Sequence, residues 1–289
     1  MDTHNTNHAK VMEGVSDMRN KVAAISVTIL AALIPAGAFA TSAFMVLGHG
    51  DMANGEKIFK EGKGEVPACN SCHGPDGTGD DNLGTPRLAG QTYPFLLKQL
   101  EDFAADRRQD LTMMVMNFNA KGLSPQDRKD VATYLSSLRQ VDFKGSDLEA
   151  LKQAGQSVGE EYKGRELVEY GSPMRNDGFP KELGPKGPGA AACKSCHGVG
   201  GRGAPPVYPM IGEQRYVYIV NQLKHWRDGT RANDPMGQMQ AIARKLSDED
   251  IENAAAYLTQ AKPISPGESQ NPYDHYGPGA IHTGPGHEH

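Results

Sequence analysis

Cys69-Asn-Ser-Cys72-His73 and Cys193-Lys-Ser-Cys196-His197 are two copies of one pattern, C-x-x-C-H. Two thiols three positions apart, with a histidine directly after them, suit covalent attachment of a c-type haem. The thiols add to the two vinyl groups of one porphyrin, and the imidazole sits beneath the iron as its proximal ligand. The two copies use all four cysteines of the chain. Other uses of paired cysteines fit less well. A thioredoxin-like dithiol needs a βαβ context, and none is visible. A zinc ribbon sets its pairs roughly 15–20 residues apart, whereas the interval from Cys72 to Cys193 is far longer. A disulfide framework gives the two histidines no reason to be there.

Composition narrows the class. The 289 residues suffice for two small domains and additional segments. A net charge of -5 and a pI near 6.1 lack the basic footprint of a nucleic-acid protein. Aromatic residues make up 7%, with Trp226 the single tryptophan. A porphyrin that fills part of each core tolerates that scarcity. The 34 glycines and 19 prolines point to loop-rich lobes with little room for a sheet.

The chain is internally duplicated. Setting Pro86 against Pro209 aligns Gln91 with Gln214, Tyr93 with Tyr216, Gln99 with Gln222 and Arg108 with Arg231, without a gap. The same register pairs Met113 with Met236, Met116 with Met239, Asp127 with Asp250 and Tyr134 with Tyr257. The haem motifs need one slip of a residue. Two copies that each carry a cofactor motif make two domains rather than a solenoid.

Each copy reads as helical. Asn54 is a plausible N-cap ahead of the first motif, and Gly164-Arg-Glu-Leu-Val is its counterpart. Apolar residues Phe95, Leu96, Leu100 and Phe103, with Gln99 on the same stripe, mark a middle helix from about Tyr93 to Asp106, repeated from about Arg215 to Asp228. Ser124-Pro-Gln-Asp127 and Ser247-Asp-Glu-Asp250 look like capping boxes that open a final helix. The expected fold class is therefore all-α, with two tandem cytochrome c-like domains.

An electron-transfer iron needs a second axial ligand, and a methionine thioether raises its potential. The loop expected before each capped helix offers Met113, Met114 and Met116 in one copy, and Met236 and Met239 in the other. Two positions pair across the duplication. Met116 and Met239 are the preferred ligands, with Met113 and Met236 the alternative. His225 aligns with Asp102 and reads as a residue on a solvated helix face. Pro86 and Pro209 either offer a carbonyl to the proximal histidine's other N–H or are simple turn prolines. Arg108 and Arg231 either balance a haem propionate or solvate a helix end.

The expected organisation is a cytoplasmic N-terminal segment over residues 1–21 and a membrane anchor or signal segment over 22–47. Domain one follows over 51–140, then a linker over 141–162, domain two over 163–262 and a disordered histidine-bearing tail over 263–289. The run from Val22 to Leu47 carries no charge, enough at ~1.5 Å per residue to cross a ~30 Å hydrocarbon core. Arg19 and Lys21 precede it, which sets the haem-bearing part outside. The competing reading is a leader cleaved after Ala38-Phe39-Ala40. Both readings export the protein.

Taken together, these residues resemble the dihaem cytochrome c4 family. The likeness lies in Pro86-Arg-Leu-Ala-Gly-Gln91, Leu96-Leu-Lys-Gln-Leu100, Met116 and Leu123-Ser124-Pro-Gln-Asp127. In the second copy it lies in Pro209-Met-Ile-Gly-Glu-Gln214, Asn221-Gln-Leu223, Met239 and Leu246-Ser247-Asp-Glu-Asp250. The resemblance implies two covalent haem c groups held by Cys69, Cys72, Cys193 and Cys196. It implies His73 with Met116, and His197 with Met239, as axial iron ligands. It also implies an electron carrier on the periplasmic side of the bacterial inner membrane, exchanging electrons with proteins such as a quinol-cytochrome c reductase and a terminal oxidase. No nucleic acid, small-molecule substrate or catalytic residue is expected. The long charged linker and the extra residues before Cys193 depart from the family pattern. Two other readings rank lower: a haem-c subunit of a larger respiratory complex, and a dihaem enzyme such as a peroxidase or thiosulfate dehydrogenase, which needs an open iron.

Overall fold

A computed structural model describes residues 50–138, 145–171 and 189–263. The anchor or signal segment lies outside the described residues, as does the histidine-bearing tail beyond Pro263. Among the described residues no helix is long and apolar enough to cross a membrane. Extended pairing among them is limited to isolated bridges such as Asp80 with Thr85 and Ala204 with Tyr208. The fold is all-α.

Lobe one holds α1 (Met52–Glu61), the one-turn α2 (Asn70–His73), α3 (Tyr93–Ala104), α4 (Val115–Gly122) and α5 (Pro125–Ser137). After α6 (Leu148–Gln153), lobe two repeats the order as α7 (Glu161–Tyr170), α8 (Lys194–His197), α9 (Tyr216–Asp228), α10 (Gln238–Ala243) and α11 (Asp248–Gln260). In each lobe the first helix packs on the last, and the middle helix packs on both of the helices that follow it. Ile58, Phe59, Leu96, Val131 and Leu135 form one core; Val168, Ile219, Ile251, Tyr257 and Leu258 form the other.

The first and last helices cross where a glycine has no side chain to offer. A Cβ on Gly55 would stand 2.1 Å from the Asp130 carbonyl oxygen, and one on Gly164 would stand 1.8 Å from that of Asn253. Both capping boxes form as expected: Ser124 with Asp127, and Ser247 with Asp250, each bond in both directions. The start of α1 differs from expectation. Asp51 caps it, accepting from the N–H groups of Ala53 and Asn54, while Asn54 turns to Asp130 and Asp127 of α5. A cap needs an oxygen on the residue before the first helical turn, and Asp51 stands there. The described part of the linker packs on lobe two, where Ser146 is buried, takes a bond from the Tyr216 N–H and donates its own N–H to Thr259.

Candidate haem sites

Each C-x-x-C-H block is a single helical turn, α2 or α8, with its first cysteine at the N-cap. Positions i, i+3 and i+4 share a helix face, so two thiols and one imidazole are presented together. All four thiols are free. Cys69 and Cys193 are partly buried, and Cys72 and Cys196 are exposed. Burial pushes the Cys69 and Cys193 thiols up to about 11. Among the described residues no three His, Cys, Asp or Glu side chains converge as a zinc site requires.

His73 and His197 are buried, each 6% exposed. The Nδ1 of His73 meets the Pro86 carbonyl at 3.1 Å, and that of His197 meets the Pro209 carbonyl at 2.8 Å. With Nδ1–H donating to a carbonyl, Nε2 keeps its lone pair for a metal. Burial outweighs the carbonyl contact and lowers both pKa values, so the imidazoles are held neutral. The loops that bring the prolines into place are also duplicates. Gly79 N–H donates to His73 O, and Gly203 N–H to His197 O, each at 2.7 Å. Both glycines have positive φ, and a Cβ on Gly79 would sit 2.5 Å from the Pro86 carbonyl carbon. This donor set fits a covalently bound c-type haem in each lobe.

The methionine candidates separate. Met113 and Met236 are 88% and 90% exposed. Met116 and Met239 are half-buried. The sequence suggests a loop here, yet both sit in the first turn of a short helix, α4 or α10. Left-handed residues just before these turns, Met113 and Met114 in one lobe and Met236 and Gly237 in the other, reverse the chain. Asp110 then receives the Met116 N–H at 3.1 Å, and buried Asn117 ties the turn to Phe103 and Arg108 backbone oxygens.

Two expectations for polar residues are corrected. Arg108 and Arg231 do not solvate helix ends; both are buried where the lobes meet. Arg108 donates to Gln99 at 2.6 Å, Gln222 at 2.8 Å and the Tyr218 hydroxyl at 3.0 Å, while Arg231 donates to Gln222 at 2.6 Å and Gln99 at 3.1 Å. Burial and the neighbouring Arg108 push the Arg231 guanidinium down to about 9. His225 is half-buried rather than solvated, and burial lowers its pKa.

The interface holds residues that sequence reasoning left without a role. Arg87 pairs with Glu213 at 2.7 Å, and Asp81 receives the Val217 N–H at 3.1 Å. Gln91 and Gln214, noted as duplication partners and as part of the family resemblance but given no role, are buried and each grips the backbone of the opposite lobe. A polar residue kept at the same position in both copies was the available signal.

The sequence matches the cytochrome c family over residues 52–139 and again over 182–262. A protein named thiosulfate dehydrogenase electron acceptor, from Stutzerimonas stutzeri strain A1501, is 34% identical over 71% of this chain and 85% of its own length. A cytochrome c4 from Azotobacter vinelandii is 32% identical over 74% of this chain and 94% of its own. The crystal structure of reduced recombinant cytochrome c4 from Pseudomonas stutzeri superposes with a TM-score of 0.54 at 30% identity, covering 74% of this chain and all of that one.

Proposed function

The chain belongs to the cytochrome c family, in its two-domain cytochrome c4 branch, and from that premise we propose that it carries electrons between redox proteins in the periplasm. It is a dihaem c-type electron carrier, not an enzyme. Cys69 and Cys72 hold one haem c, and Cys193 and Cys196 the other. His73 with Met116, and His197 with Met239, would ligate the two irons. Bound haem supplies the one-electron couple; the chain supplies ligands, burial and a fixed orientation.

One observation carries the reading: each lobe repeats a buried histidine whose Nδ1 is committed to a proline carbonyl, directly after two free thiols. Arg108 and Arg231 add support. Neither has a carboxylate partner among the described ion pairs, although two buried like charges call for an anion. Propionates of the two haems, one from each lobe, suit that place.

The relative named as a thiosulfate dehydrogenase electron acceptor favours a sulfur-compound dehydrogenase as donor. Quinol-cytochrome c reductase is the other donor class, and a terminal oxidase the acceptor. The uncharged run from Val22 to Leu47 supports a membrane anchor that confines this exchange to the membrane surface; a cleaved leader would give a soluble carrier. A redox titration of the purified protein tests the assignment. Two one-electron components are expected, both with the long-wavelength ferric absorption of His/Met haem. A high-spin ferric component would instead indicate an open iron and an enzyme.

A further inference from the structure

Each proximal histidine leans on a peptide that the opposite lobe also holds. The Pro86 carbonyl accepts from His73 Nδ1, and the N–H of that same peptide unit, on Arg87, donates to Gln214 Oε1 at 2.6 Å. Gln214 Nε2 then donates to the Arg87 carbonyl at 3.0 Å, closing a two-bond clasp. The mirror arrangement is present. The Pro209 carbonyl accepts from His197 Nδ1, and the Met210 N–H donates to Gln91 Oε1 at 2.9 Å. Gln91 Nε2 donates to the Met210 carbonyl at 2.7 Å. Both amides are buried, at 3% exposure for Gln91 and 8% for Gln214. Each Oε1 is also fixed by the N–H of the next residue, Thr92 at 2.8 Å and Arg215 at 2.9 Å.

The clasps therefore cross: lobe two holds the histidine peptide of lobe one, and lobe one holds that of lobe two. Hydrogen bonds in series polarise one another. A carbonyl whose own peptide N–H is engaged is a stronger acceptor, and a stronger acceptor on Nδ1–H makes the imidazole a more basic ligand. A more basic ligand favours ferric iron. We propose that Gln214 and Gln91 are positioning residues that set the two reduction potentials crosswise, Gln214 for the haem of lobe one and Gln91 for the haem of lobe two. The contact that joins the lobes is then also the contact that tunes them. This rests on His73 and His197 being the proximal ligands.

The test uses the dihaem protein with Gln214→Leu and Gln91→Leu, which keep similar bulk and remove the amide. Gln214→Glu, which retains an acceptor oxygen for the Arg87 N–H, is the conservative control. Redox titration followed by NMR resolves the two haems. Their assignment is internal, because the Tyr208 ring lies 5.9 Å from the His197 ring, whereas the duplication places Thr85 at that position in lobe one. In Gln214→Leu the lobe-one haem is expected to become roughly two- to tenfold easier to reduce, the effect of weakening one hydrogen bond. The lobe-two haem stays where it was, and the His73 Nδ1–H resonance moves upfield in the ferrous state. Gln91→Leu gives the mirror result. Gln214→Glu leaves the lobe-one haem unchanged or harder to reduce, and carries the test should the leucine variant not fold.

A merely structural role predicts something else. Loosened lobes expose both haems to water and make both harder to reduce. That result, a shift confined to the variant's own lobe, no shift at all in the leucine variants, or an easier-to-reduce lobe-one haem in Gln214→Glu overturns the proposal. Absence of two histidine-ligated components in the unmodified protein overturns the ligation itself, and is seen before any variant is made.

Discussion

In each lobe one candidate methionine, Met116 or Met239, is half-buried, and the one three residues earlier, Met113 or Met236, is almost fully exposed. The duplication pairs both, so sequence alone left two candidate sets. Exposure divides them: a thioether that is 88% or 90% exposed is badly placed to serve an iron beside a buried histidine. Met116→Ala should remove the long-wavelength ferric absorption of one haem and lower its potential, since the thioether favours ferrous iron. Met239→Ala should do the same to the other haem. Met113→Ala and Met236→Ala should leave spectrum and potentials as they were. Absorption spectra with a redox titration decide between the sets. The cysteines and histidines were legible because C-x-x-C-H is a local pattern, complete within one helical turn. Met116 and Met239 were preferred from sequence over Met113 and Met236, but the burial that separates the two sets was not legible, because it depends on left-handed residues at Met113, Met114 and Met236, a conformation few non-glycine residues adopt.

Helix crossings and caps set the stability of each lobe. The close approach of α1 to α5 requires that residue 55 lack a side chain, since any Cβ would meet the Asp130 carbonyl at 2.1 Å. Gly55→Ala should destabilise lobe one by about 1–3 kcal/mol or more, as overpacking does, although alanine is the better helix former. Denaturant melts of the variant measure it. The cap of α5 predicts a pH dependence. Burial pushes the Asp127 carboxyl up, but Lys63, Ser124 and Asn54 together pull it down to about 2. An acid depressed in the folded state stabilises above its unfolded pKa of about 3.9 and loses that contribution as pH falls towards 2. Asp127→Asn should therefore cost on the order of 1–2 kcal/mol at pH 7, discounted for the half-exposed Lys63 partner. The gap to the unmodified protein should close between about pH 4 and pH 2. Melts across that range check both size and sign. Elements of this length were readable from apolar period and capping residues, and both capping boxes stand where the sequence put them. The short α4 and α10 were not, because six to eight residues carry too little periodicity to signal a helix.

At the scale of the whole molecule, duplication was visible in the register of Gln91 with Gln214 and Arg108 with Arg231, but orientation was not. Nothing in a one-dimensional repeat says that equivalent residues face each other rather than solvent. The folded chain brings them together, so that Arg108 and Arg231 share the carbonyl oxygens of Gln99 and Gln222. Two buried guanidinium groups at one junction form a positive centre common to both lobes. A positive charge near a haem opposes the extra charge of ferric iron, so removing it makes the haem harder to reduce. Because the pair straddles the interface, Arg231→Leu should lower both potentials, and Arg108→Leu should do the same. The expected size is on the order of 1–2 kcal/mol per haem, the interaction of unit charges roughly 10 Å apart at an effective dielectric of about 20. Salt screens a buried pair little, so the shift should persist at high ionic strength. A surface role would show the opposite, a small effect that vanishes with added salt. Titrations of both arginine variants at low and high salt separate the two, and their joint downward shift contrasts in sign and symmetry with the crossed upward shifts expected of the glutamine variants.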